Sequence, residues 1–219
     1  MNIALVSKDR PWTKKLLKKL DKYNHKITWL RELSEAEIDS INPEYVFFFH
    51  WSEKVSRRIY ENYKCIVVHT GCLPQDRGGS PIQNQILKDK YISRVNLIEM
   101  CEELDSGGIF CSEQISLQGD INDIWSCIAD VSADLIDKLI SSDLEPIPQT
   151  GDQLTNKRVQ SNLINFEKCI DSVYNQIRMV DSDFYPNGYI IFNDFKLEFS
   201  RAKLQKEEIL VDVRITKKQ

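Results

Sequence analysis

Apolar positions along the first 140 residues follow two rhythms that take turns. Short runs of β-branched and aromatic residues recur, and between them apolar residues return every three or four positions. Residues 2–6 and 27–30 carry the first rhythm; Trp12, Leu16, Leu17 and Leu20, behind a helix-opening Pro11, carry the second. Residues 45–50 and 65–68 are apolar without alternation up to His50, as expected of strands covered on both faces, so they belong near the centre of a sheet. Two more strands are predicted at 94–100 and 108–115, flanking the turn Asp105-Ser106-Gly107-Gly108. Asp120 caps a long helix whose apolar stripe runs from Ile121 through Trp125 and Ile128 to Leu139. The alternation predicts an α/β fold, a mostly parallel sheet with helices on both faces.

The rhythm changes after residue 145. Pro146 and Pro148 punctuate a polar connector, a helix is predicted over 166–179, and short strands follow at 189–192, 195–199 and 209–215. Asn193-Asp194 supplies a tight turn between the first two of these strands. The tail is too small to bury a core alone, so it is expected to pack on the main unit or to join two copies into a homodimer. Residues 1–145 thus read as one unit, and 146–219 as a linker, a helix and a small β extension.

Composition narrows the partners. With 219 residues, 42% of them apolar, the chain has enough material for one medium domain and an appendage. A formal net charge of -4 and a sequence pI of about 5.5 withhold the broad positive field that nucleic acid requires, which argues against such a partner. Six cysteines without a CxxC pair read as reduced thiols, and neither a leader segment nor a membrane-length apolar run is visible. A cytoplasmic protein without metal or membrane is the expectation.

Chemistry concentrates between residues 69 and 84. His69 ends a buried strand and leads through Gly71, Leu73-Pro74 and Arg77-Gly78-Gly79-Ser80-Pro81 to Gln83 and Asn84 at a helix start. Open α/β sheets seat their ligands at such strand ends. Position alone also allows a strand-end histidine bonded to backbone. The string His-x-x-x-Leu-Pro-x-x-Arg-Gly-Gly-Ser-Pro, followed later by Leu104-Asp105-Ser106-Gly107, resembles the two-part signature of the folate-dependent formyltransferases, a family that includes the glycinamide ribonucleotide, methionyl-tRNA and sugar-nucleotide enzymes. The resemblance implies a Rossmann-like catalytic domain over 1–145 and N10-formyltetrahydrofolate as formyl donor.

On this resemblance His69 and Asp105 are the catalytic pair. Addition of an amine to a formyl carbon puts negative charge on oxygen and a surplus proton on nitrogen, and an imidazole beside a carboxylate can answer both. The family's asparagine two residues before the histidine is Val67 here; Asn84 or Gln83 is the nominated replacement donor, against ordinary helix-surface polarity as the alternative. His50, Trp51 and the segment holding Met100, Cys101, Glu102 and Leu104 are expected at the folate. Lys8, Asp9 and Arg10, at a helix start that favours phosphate, are expected at the acceptor with Arg77, Gly78, Gly79, Gln83, Arg178 and Tyr185. Solvated-loop, loop-stabilising and packing roles remain open for Lys8 and Arg10, for Arg77 and for Tyr185, respectively. Shared His-Trp-Ser and Ile-Arg-Met strings bring the chain nearest to sugar-nucleotide N-formyltransferases, implying a nucleotide-linked amino sugar, such as a 4-amino-4,6-dideoxyhexose for surface polysaccharide, as acceptor. The alternatives are another amine such as methionyl-tRNA, or an inactive folate- or nucleotide-binding paralogue.

Overall fold

The computed structural model describes residues 1–142 and 144–218. Its main sheet has six strands: β1 (Ile3–Val6), β2 (Ile27–Leu30), β3 (Tyr45–Phe49), β4 (Cys65–Thr70), β6 (Ile92–Glu99) and β7 (Ile109–Ser116). They lie in the order β2-β1-β3-β4-β6-β7. The first four are mutually parallel, whereas β6 runs antiparallel to both β4 and β7. The sheet is therefore mixed at one side and parallel where the order reverses.

Helices cover both faces, as the unalternating strands require. On one face, α1 (Pro11–Lys22), α4 (Pro81–Leu87) and α5 (Ile121–Ser141) pack on Leu5, Phe47, Phe49, Ile66, Val68 and Leu97. On the other, α2 (Glu35–Ile41) and α3 (Arg57–Asn62) supply Ile38 and Ile59 against Ala4, Val6, Val46 and Phe48. Phe47, Phe48 and Phe49 are wholly buried, each worth about 2–3 kcal/mol, because β3 is interior to the sheet. Asp120 caps α5 in a reciprocal box with Asp123. The sequence reading passed over α2 and α3: at 7 and 6 residues they are too short for a helical period to declare itself.

The connector does not run free. Ile147 exchanges main-chain hydrogen bonds with Ile109 at the β7 edge, and β8 (Thr155–Asn156) pairs in parallel with β5 (Arg77–Gly78). Beyond it, α6 begins at Ile170 rather than 166: Glu167 N–H turns back to Asn165, and Phe166 packs against Phe199 instead. A three-stranded antiparallel sheet follows, of β9 (Gly188–Phe192), β10 (Phe195–Gln205) and β11 (Glu208–Lys217), longer than the pattern suggested because its outer ends are half exposed and less apolar. Leu197, Phe199 and Ile190 on one of its faces cover Val173 and Ile177 of α6. Among the described residues no helix is long and apolar enough to cross a membrane.

Candidate active site

The strand order reverses between β1 and β3, and the loops leaving β1, β3 and β4 converge at their carboxyl ends. His69, on the last turn of pleat in β4, points its Nδ1 at Asp105 Oδ2 across 3.5 Å. Asp105 comes from the turn between β6 and β7, where its backbone adopts a left-handed conformation (φ 54°). The same carboxylate oxygen accepts the Gly78 N–H at 2.9 Å. Burial alone would raise this carboxyl; His69, the Gly78 amide and the Arg77 charge outweigh it and hold Asp105 below the ordinary carboxylate range. The other ring nitrogen of His69, Nε2, lies 2.9 Å from the main-chain carbonyl of Asp76.

Several expected ligand contacts are committed to the protein itself. Asn84 donates its amide to the carbonyls of Gly79, Ser80 and Lys157, tying α4 to the connector, so it is no oxyanion donor. Arg77 is buried, with Nε and Nη2 both on Gln149 Oε1, while the Gln149 amide donates to Asp105 and Gly107 carbonyls; it braces the loop and does not face an acceptor. Gly78 and Gly79 are small for the same connector: a Cβ would fall 2.4 Å from Asn156 O and 2.9 Å from Arg158 Cβ. Arg178 donates from Nη1 to the carbonyls of Leu117 and Gly119 and from Nε to Asn175 Oδ1, so the buried guanidinium pins the extension to the main unit. Val67 shares the His69 face of β4, and Asn96, directly across the ladder, spends its amide on the carbonyls of His69 and Gly71.

His50 also departs from expectation. A left-handed backbone (φ 49°) ends β3 and turns the ring toward α1 and α5, between Trp12 and Trp125. Trp12 Nε1 faces His50 Nδ1 at 3.4 Å, and His50 Nε2 meets the Tyr185 hydroxyl at 3.0 Å, which also accepts from Trp125 Nε1 at 2.9 Å. An indole only donates, so Nδ1 is bare and Nε2 carries the hydrogen. Burial, with Arg10 nearby, lowers His50 to about 4, and burial lifts Tyr185 to about 12. With both nitrogens satisfied, His50 is a neutral strut rather than a folate contact. Tyr185 thereby docks the extension against the β1–β3 crevice, with Gln83 beside its hydroxyl.

Among the remaining candidates, Trp51 and Arg10 keep open groups. Trp51 and Met100 pack together with the α2–α3 layer, on the sheet face that His69 also occupies, and Trp51 Nε1 is buried without a protein partner. Cys101, Glu102 and Leu104 follow, Leu104 with its side chain exposed at the turn that carries Asp105. Lys8 lies over the Trp51 ring and pairs with Glu53, Asp9 pairs with Lys14, and Arg10 stacks on Phe184 with its Nε unpartnered. Among the described residues no group of three or more His, Cys, Asp or Glu is arranged to hold a metal ion. Lys90, Gln149, Trp12 and Trp125 escaped the sequence reading as site neighbours, since each arrives from a segment outside the motif, and Asp76 escaped it although it lies within the motif, at one of its variable positions.

A buried histidine at the carboxyl end of β4, paired with a carboxylate from the β6–β7 turn of a doubly covered sheet, marks an α/β protein with a candidate active site, and the relatives sharpen that class. Residues 158–216 match the model of the methionyl-tRNA formyltransferase C-terminal domain. A structure of methionyl-tRNA formyltransferase from Clostridium thermocellum superposes with a TM-score of 0.91 at 30% identity, covering 99% of each chain. The methionyl-tRNA formyltransferase of Bacillus cytotoxicus is 29% identical over 161 residues, 68% of this chain and 51% of the relative, so the chain spans about half the length of the curated relatives it matches. A sugar N-formyltransferase from a Shewanella species shares the fold, with a TM-score of 0.71 and 17% identity over 94% of this chain and 99% of that one. The chain belongs to the formyltransferase family.

Proposed function

We propose that the chain is an N-formyltransferase that moves the formyl group of N10-formyltetrahydrofolate to the amine of a nucleotide-linked amino sugar. The observation that carries this reading is the 3.5 Å approach of His69 Nδ1 to Asp105 Oδ2 at the carboxyl end of β4. The unpartnered Trp51 Nε1, beside Met100 on the same face, suits a flat heterocycle with hydrogen-bond acceptors, so the residues fit a pteridine. When bound, the folate supplies the activated formyl carbon.

The protein's own groups do the rest. Asp105, held ionised, fixes the imidazole and receives, directly or through water, the proton that the attacking amine must lose. His69 Nε2 is engaged by the Asp76 carbonyl, so its Nδ1 edge, beside Asp105, is the side turned to the reacting atoms, and the proton that Asp105 takes would be returned to the folate nitrogen as its bond to the formyl carbon breaks. Lys8 and Arg10, with the amides at the start of α1, attract the acceptor's phosphates, and Tyr185 and Gln83 line the crevice beside them.

The amino-sugar acceptor is supported by charge: over residues 146–219, 11 Lys and Arg stand against 10 Asp and Glu, too even a balance to grip a tRNA backbone. Methionyl-tRNA is the second reading, favoured by the likeness to the methionyl-tRNA formyltransferases of Clostridium thermocellum and Bacillus cytotoxicus. Formyl transfer assayed with dTDP-, UDP- and GDP-linked amino sugars beside methionyl-tRNA separates them. Turnover on a nucleotide sugar is the expected result; turnover on methionyl-tRNA alone overturns the acceptor, and folate binding with no turnover on either would leave an inactive paralogue.

A further inference from the structure

The formyltransferase signature names His69 and Asp105 but says nothing of what aims them. One short stretch of main chain serves both. The Asp76 carbonyl meets His69 Nε2 at 2.9 Å, and two residues on, the Gly78 N–H meets Asp105 Oδ2 at 2.9 Å. A carbonyl can only accept, so Nε2 must carry a hydrogen in this arrangement, and Nδ1 is left as the nitrogen that exchanges a proton with Asp105.

The stretch is held by a charge that is out of place for a turn. Asp76 is 1% exposed. Its carboxylate accepts the Cys72 N–H at 3.0 Å and the Lys90 ammonium at 3.1 and 3.0 Å, while its own N–H returns to the Cys72 carbonyl. Gly71 is fitted to it, since a Cβ there would fall 2.6 Å from Asp76 Cβ. Lys90 is anchored in turn just past α4, through its N–H on Gln85 O. A buried carboxylate is retained only where charge and hydrogen bonds answer it, and here they fasten the peptide that faces the histidine.

We propose that Asp76, locked by Lys90, is a positioning residue that fixes the His69 ring as the Nε2–H form and so assigns proton exchange to the Nδ1–Asp105 side. The proposal rests on the formyltransferase reading for its consequence in catalysis, and on geometry alone for the state of the ring.

The test uses the full chain labelled with ¹⁵N-histidine. Only His25, His50 and His69 contribute, and His69→Gln identifies the third set of signals. The expected spectrum gives His69 a protonated Nε2, smeared toward a mixture of ring forms in Lys90→Met and restored in Lys90→Arg. Asp76→Asn, which keeps an acceptor for Cys72 but loses the charge, provides a second disturbance should Lys90→Met fold poorly. In the formyl-transfer assay, Lys90→Met lowers kcat about tenfold with KM for the folate within about twofold, and Lys90→Arg recovers it. A wild-type His69 protonated on Nδ1 alone, or a ring unchanged in both variants, overturns the proposal. Absence of turnover in the wild type would count against the formyl-transfer reading and leave the spectrum to decide the clamp.

Discussion

At the scale of single residues, the buried histidines divide by what faces them. His50 is surrounded by partners that favour the neutral ring, and burial carries it from 6.5 to about 4. Between those values the unfolded chain binds the proton and the folded one does not, so His50's stabilising contribution is complete above pH 6.5 and is lost as pH falls toward 4, by about 3 kcal/mol. Urea unfolding of the wild type and of His50→Asn across pH 4–7 should show the pH slope flattened in the variant; equal slopes would remove His50 as its source. Asp105 has linkage of the same sign, at lower pH: its carboxyl is lowered, so its contribution is present at neutral pH and is lost as pH falls through its folded value. Lys8 and Arg10 belong to this scale too. Replacing both by Gln is expected to raise KM for a nucleotide sugar at least tenfold with kcat little changed, and an unaltered KM would exclude them from the phosphate site.

At the scale of elements, the C-terminal extension is a fitted part rather than an ornament. Arg178 on α6 fastens it to the loop between β7 and α5, and Tyr185 carries it to the β1–β3 crevice. Arg178→Met orphans two carbonyls and is expected to cost about 2–4 kcal/mol in urea unfolding. The same sheet face that covers α6 continues outward through Phe192, Phe195, Val213 and Ile215, all exposed. That continuation supports the homodimer expected of this tail, so sedimentation should give a dimer that Phe195→Lys with Ile215→Lys converts to a monomer; a wild-type monomer would refute it.

Across the whole molecule, what was legible in the sequence followed from local physics. The unalternating runs at β3 and β4 announced their burial on both faces, Pro11 and Asp120 marked helix starts, and the joined motif strings led to His69 and Asp105. What stayed hidden was reciprocal filling between distant segments. Nothing near Arg77, Gly78 or Asn84 reveals that residues 149–158 will return to occupy them, and a glycine kept for a neighbouring strand reads the same as one kept for a ligand. His50 misled for a related cause: alternation set its ring on one face, and a left-handed backbone moved it to the other. The account as a whole turns on the His69–Asp105 pair, and formyl transfer by His69→Ala measures it most directly. The expected result is a kcat reduced about a thousandfold or more, with folate affinity within a few fold of the wild type; a variant that turns over at the wild-type rate would contradict it.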